Sequence, residues 1–68
     1  MSANKKLNAR MQSLTTEQLL EISLRLTLAT TAEEIIVCNR AERELQNRLP
    51  ESEFVAHMEV LETLLNAA

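Results

Sequence analysis

Glycine, tryptophan and tyrosine are absent from this 68-residue chain, and proline, cysteine, histidine and phenylalanine each occur once. Each shortage excludes something. Tight β-hairpins draw on glycine or Asn-Gly turns, so a β-rich fold is not expected. Phosphate-cradling loops of the usual kind also need glycine. Cys38 is the only cysteine, so no disulfide can form within the chain, and a lone thiol suits a reducing compartment. Cytoplasm is the expected location. One His and one Cys are a poor donor set for a metal, and no cofactor is expected. Phe54 is the only aromatic residue, against both the base-stacking platforms of single-strand readers and the aromatic-lined pockets that hold small molecules. A small-molecule substrate is therefore not expected. No apolar run approaches a membrane span, and no apolar region follows Lys5 and Lys6 to make a signal peptide.

What is present is helical pattern. Hydrophobic residues make up 46% of the chain and charged ones 25%, with a net charge of −3. The stretch from Thr31 to Leu49 organises the rest. Thr31 is a good N-cap, and Glu34 three residues on reads as a T-x-x-E capping box. Glu33 and Glu34 complement the positive end of the helix dipole. Ile35, Cys38, Ala41, Leu45 and Leu49 then recur at spacings of three and four, forming one apolar stripe that Ile36 and Val37 widen. Glu44 and Arg48 make an i,i+4 pair in the favourable order. Pro50 ends the helix and pushes Leu49 out of helical dihedrals.

Two further helices are expected. Thr15 and Gln18 form a second capping box, with Leu14 and Leu19 placed as a hydrophobic staple, so a helix should run over about 16–28. Leu19, Ile22 and Leu26 should face inward, Leu20, Leu24 and Leu28 should broaden that face, and Glu21 should pair with Arg25 outside. Residues 22–28 also alternate in a strand-like way, but the cap, the leucine content and the lack of a pairing strand favour helix. The last helix is expected over about 51–66, with Pro50 read as its first helical position. Phe54, Met58, Leu61 and Leu65 follow a 4-3-4 seam, flanked by Val55, Val60 and Leu64. Glu53 and His57 are spaced to pair. Leu7, Met11 and Leu14 allow a short helix in residues 1–12, which otherwise read as a basic polar arm, partly disordered. Apolar doublets recur near each helix start, which reflects similar starts and not a repeat architecture.

Charge is uneven. Lys5, Lys6 and Arg10 stand at one end without an acid, and Glu51, Glu53, Glu59 and Glu62 at the other without Lys or Arg. The overall acidity, with a pI of about 5.0, argues against a general nucleic-acid binder. Arg40, Arg43 and Asn47 share one face of the central helix and could meet phosphates or an acidic partner, together with Lys5, Lys6 and Arg10. Glu42 and Glu44 interrupt that face. A Cys38–His57 dyad is the one nucleophile–base pair the chain could assemble, but Cys38 lies in the apolar stripe, where thiols are usually inert. Glu59 and Glu62 read as an ordinary solvated pair and not a cation site.

The fold class that follows is all-α. It is a small three-helix bundle in one domain over 13–68, with a short extra N-terminal helix as an option. A chain of this length buries a modest core, and dimerisation is the remedy left when disulfide and metal are excluded. The expected function is a non-enzymatic helical protein–protein interaction module, homodimeric and acting as adaptor, inhibitor or accessory subunit. Its expected interface residues are Phe54, Met58, Leu61, Leu65, Leu20, Leu24 and Leu28. The alternative is a small dimeric nucleic-acid-binding regulator using Arg40, Arg43 and the basic arm.

Overall fold

The structure is a computed structural model and describes residues 3–68, with side-chain surroundings from Lys5 onward. Met1 and Ser2 of the expected basic arm lie outside the described residues. Four helices and no strand occur among those residues: α1 Ala3–Ser13, α2 Thr16–Leu26, α3 Ala32–Arg48 and α4 Glu51–Ala67. The helical reading of residues 22–26 holds. The helix stops at Leu26, two residues short of the expected end, and Thr27 and Leu28 form a turn closed by the Ala29 N–H donating to the Leu26 carbonyl.

Local signals account for most boundaries. At α2 the capping box is complete: the Gln18 N–H donates to Thr15 Oγ1 at 3.1 Å, and the Thr15 N–H donates to Gln18 Oε1 at 2.9 Å. At α3 the expected box is only half formed. The Glu34 N–H donates to Thr31 Oγ1 at 3.3 Å, but the Glu34 carboxylate takes the Thr31 hydroxyl at 2.8 Å and not the Thr31 backbone N–H. The short hydroxyl partner outcompetes the backbone group. Leu49 is extended, at φ −89 and ψ 146, as a residue before proline should be. Pro50 stands at the N-cap and not at the first helical position, with no side-chain cap bond.

The optional N-terminal helix is α1, and it belongs to the packed unit. Met11, Leu19, Ala41 and Leu45 form the buried core, with Leu7, Leu14, Leu20, Ile22 and Phe54 packed against it. Leu45 and Ala41 on α3 are fully buried, so α3 is the centre, as its stripe implies. The stripe is not covered along its whole length. Cys38 is buried, but Ile35 and Ile36 are 44% and 47% exposed. Because α2 ends at Leu26, the first turn of α3 is left about half uncovered. Helix α4 contributes Leu61, 2% exposed, and Phe54, but leaves Val55, Val60, Leu64 and Leu65 open.

The chain is less compact than its mass requires. Its radius of gyration is 11.9 Å, against about 11 Å expected for this length. Its accessible surface is 4945 Å², against about 4,300 Å² for a folded monomer of 7.7 kDa. Among the described residues, eight large apolar side chains lie exposed on α2, α3, α4 and the turn after α2, and a candidate site has to be sought among them.

Candidate interaction groove

Two polar devices tie the helices together. The first is Arg48, at the last turn of α3. Its Nε donates to Glu44 Oε2 at 3.0 Å, which orients the guanidinium. Its two terminal nitrogens then donate to the carbonyls of Leu14 at 2.7 Å, Gln12 at 3.0 Å and Met11 at 3.3 Å. Those carbonyls lie at and just past the end of α1, where that of Met11 also accepts the Leu14 N–H at 3.2 Å, and a cation there complements the helix dipole. The i,i+4 pair legible in the sequence is therefore only the outer part of a clamp. Glu21 and Arg25 do pair at 3.2 Å, but both are largely exposed, so the contact adds little.

The second device is Ser23, the one fully buried polar residue among those described. Its hydroxyl lies 2.9 Å from the Leu20 carbonyl and 2.7 Å from His57 Nε2. A hydroxyl has one proton, and the carbonyl can only accept it. Ser23 therefore donates to Leu20, and His57 donates its Nε2–H to Ser23. In this arrangement His57 ties α4 to α2 and does not draw a proton from the serine. The expected Glu53–His57 pairing is not made; His57 turns to Ser23 instead.

Cys38 meets the same serine through its backbone, with Sγ 3.8 Å from the Ser23 carbonyl, and donates to Glu42 Oε2 at 3.3 Å. Burial first, then the hydrogen bond to Glu42 and the charge of Glu42, push the thiol from 9.0 up to about 12. It stays protonated at neutral pH, so the thiolate a nucleophile needs is scarce. Cys38 and His57 thus share Ser23 as a neighbour without bonding each other among the described contacts. No group of three His, Cys, Asp or Glu residues is placed to hold a metal among the described residues. No helix among them is long and apolar enough to cross a membrane.

Beyond these two devices, α4 parts from α2 and α3 and leaves an open groove of about 340 Å³. Leu26, Ile35, Met58, Leu61 and Leu65 make its apolar walls, Cys38 lies among them, and Asn39, Glu42 and Glu62 supply its polar lining. Each wall has a local cause. Leu26 is the last residue of α2, Ile35 is in the half-uncovered first turn of α3, and Met58, Leu61 and Leu65 fall on one side of α4 at spacings of three and four.

The expected site residues separate into two groups. Phe54 and Leu20 pack on the core and Leu61 is buried, so these three sit within the chain's own interior. Leu24, Leu28 and Leu65 are exposed at 40%, 51% and 52%, and Met58 is half-buried in the groove. Among the cationic candidates, Lys5, Lys6, Arg10 and Arg43 are exposed, whereas Arg40 is half-buried. Ser23 and the full role of Arg48 are not apparent from sequence. A serine set among leucines at a buried helical position is the one signal that could have revealed the first. The second depends on α1 ending beside the end of α3.

Comparison with known proteins brings no match: no family model, no curated protein and no solved structure aligns with the chain. Its function is therefore read from its own geometry.

Proposed function

We propose that this chain is a non-enzymatic helical interaction module that pairs with a second copy of itself and binds another protein. The observation that carries the reading is the set of large apolar side chains left open on a small domain: Leu24 and Leu28 after the core-facing part of α2, Ile35 and Ile36 on α3, and Val55, Val60, Leu64 and Leu65 on α4. Large exposed apolar patches on small domains mark interaction surfaces. The surface above that of a compact monomer is about 600 Å², near the roughly 800 Å² that each partner buries in a standard interface. Symmetric pairing is the commonest way to cover such surface. An isologous contact that sets Val60 and Leu64 against Leu24 and Leu28 of a second copy places acidic α4 against α2 and not against itself.

Sedimentation equilibrium and thermal melting test the pairing. The expected result is dimer mass and a melting temperature that falls on about hundredfold dilution. Monomer mass throughout, with an unchanged melt, would contradict it. A regulator that touches nucleic acid through Arg40, Arg43 and the cations of α1 is the competing outcome. It would appear as duplex binding that weakens steeply with salt and with Arg43→Ala.

A further inference from the structure

Resting on the reading of the chain as an interaction module, we propose that the groove between α3 and α4 is a separate docking site. Its occupant is an amphipathic helix of another protein that brings apolar anchors and Lys or Arg flanks. Three observations carry this. The groove is open and wall-like, with Ile35 and Leu65 both about half exposed at its mouth, which suits a helix laid along a cleft better than an enclosed ligand. Its apolar walls present Leu26, Met58 and Leu65 to an open cleft that no apolar side chain among the described residues fills. Its charged lining is all of one sign: Glu42 from α3 and Glu62 from α4.

Charge also selects the occupant. A second copy's α4 is the obvious apolar helix to offer, but it carries Glu51, Glu53, Glu59 and Glu62 and no Lys or Arg. Seating it here would set carboxylates against carboxylates, which is unfavourable at a half-buried contact. The chain's own basic helix is α1, but Met11 is buried in the core and Leu7 packs against that core, so its apolar face is already occupied. The partner that fits therefore comes from a different protein and brings the cations that this surface lacks.

The test uses the full chain and two synthetic helical peptides of about 16 residues, long enough to hold some helix in water. Both carry the same leucines at helical spacing, one with Lys and Arg flanks and the other with Glu flanks. The expected result is that the basic peptide binds about tenfold or more tightly than the acidic one at low salt, and that the Glu42→Gln, Glu62→Gln double variant loses that preference. Leu65→Ala, at an exposed position that leaves the core intact, should weaken both peptides. Equal binding of the two peptides by the natural chain, or binding of neither, would overturn the proposal. So would loss of peptide binding as the chain self-associates, since a second copy would then hold the groove. Sedimentation in the same samples separates this result from the pairing itself. A dimer that ignores both peptides leaves the pairing standing and removes the groove, and a monomer that binds the basic peptide does the reverse.

Discussion

Helix α4 is the most apolar of the four helices, yet it buries fewer of its residues than α3 does. In the first region, α1 to α3, the apolar stripe of α3 packs on α2 from Cys38 to Leu45, α1 closes the far end through Met11, and Arg48 ties off carbonyls at the end of α1. In the second, a 17-residue helix of mostly apolar and acidic residues is held by Phe54, Leu61 and the His57–Ser23 bond. Its other large side chains stay open. The difference teaches that apolar content alone does not measure how much of a helix is used for folding. A helix anchored at a few points keeps its remaining face for something else.

The largest effect that sharpens this contrast should come from truncating one leucine in each region. Leu45→Ala should cost about 4 kcal/mol, because a fully buried site at the centre of three helices cannot collapse around the gap. Leu61→Ala should cost about 2 kcal/mol, because α4 can shift toward the space. Urea denaturation of the two variants measures both, and equal losses would break the distinction. Next comes Arg48→Met, which keeps the aliphatic stem and removes the donors to α1. It should cost about 1–3 kcal/mol and lower hydrogen-exchange protection in α1 more than in α2.

The thiol gives a pH test of how tightly the α2–α3 contact is closed. Cys38 holds its proton to about 12 in the folded chain and to about 9.0 when unfolded. Its contribution is fully present below pH 9 and is lost as pH rises toward 12, with a slope of up to about 1.4 kcal/mol per pH unit. Urea titrations over that range should show the decline, and Cys38→Val should flatten it. An identical decline in the variant would show that the thiol is not the cause. The smallest effect belongs to the open face. Val60→Lys should change monomer stability by no more than about 0.5 kcal/mol, since the side chain is half exposed, while reducing self-association in sedimentation.

Much of the fold was legible before the structure. Thr15 and Thr31 mark the starts of α2 and α3, Pro50 separates α3 from α4, and the Cys38–Ala41–Leu45 stripe faces the core. These are local rules, and they act within one turn. What was not legible depends on where helices stop relative to one another. Ile35 reads as core, but α2 ends before covering it, so it becomes a wall of the groove. Arg48 reads as half of a surface pair, but the end of α1 lies within its reach. The Phe54–Met58–Leu61–Leu65 seam reads as a face for α3 or for a partner, and only part of it packs inward, at Phe54 and Leu61, because periodicity shows that a face is apolar without showing what covers it.

The most direct measurement of the central contrast is residue-resolved hydrogen exchange on the full chain, dilute and concentrated. If α4 is a lightly held helix whose open face is covered by association, its amides should exchange faster than those of α3 when dilute and gain protection on concentration, while α3 changes little. Protection in α4 equal to that in α3, and independent of concentration, would contradict the account.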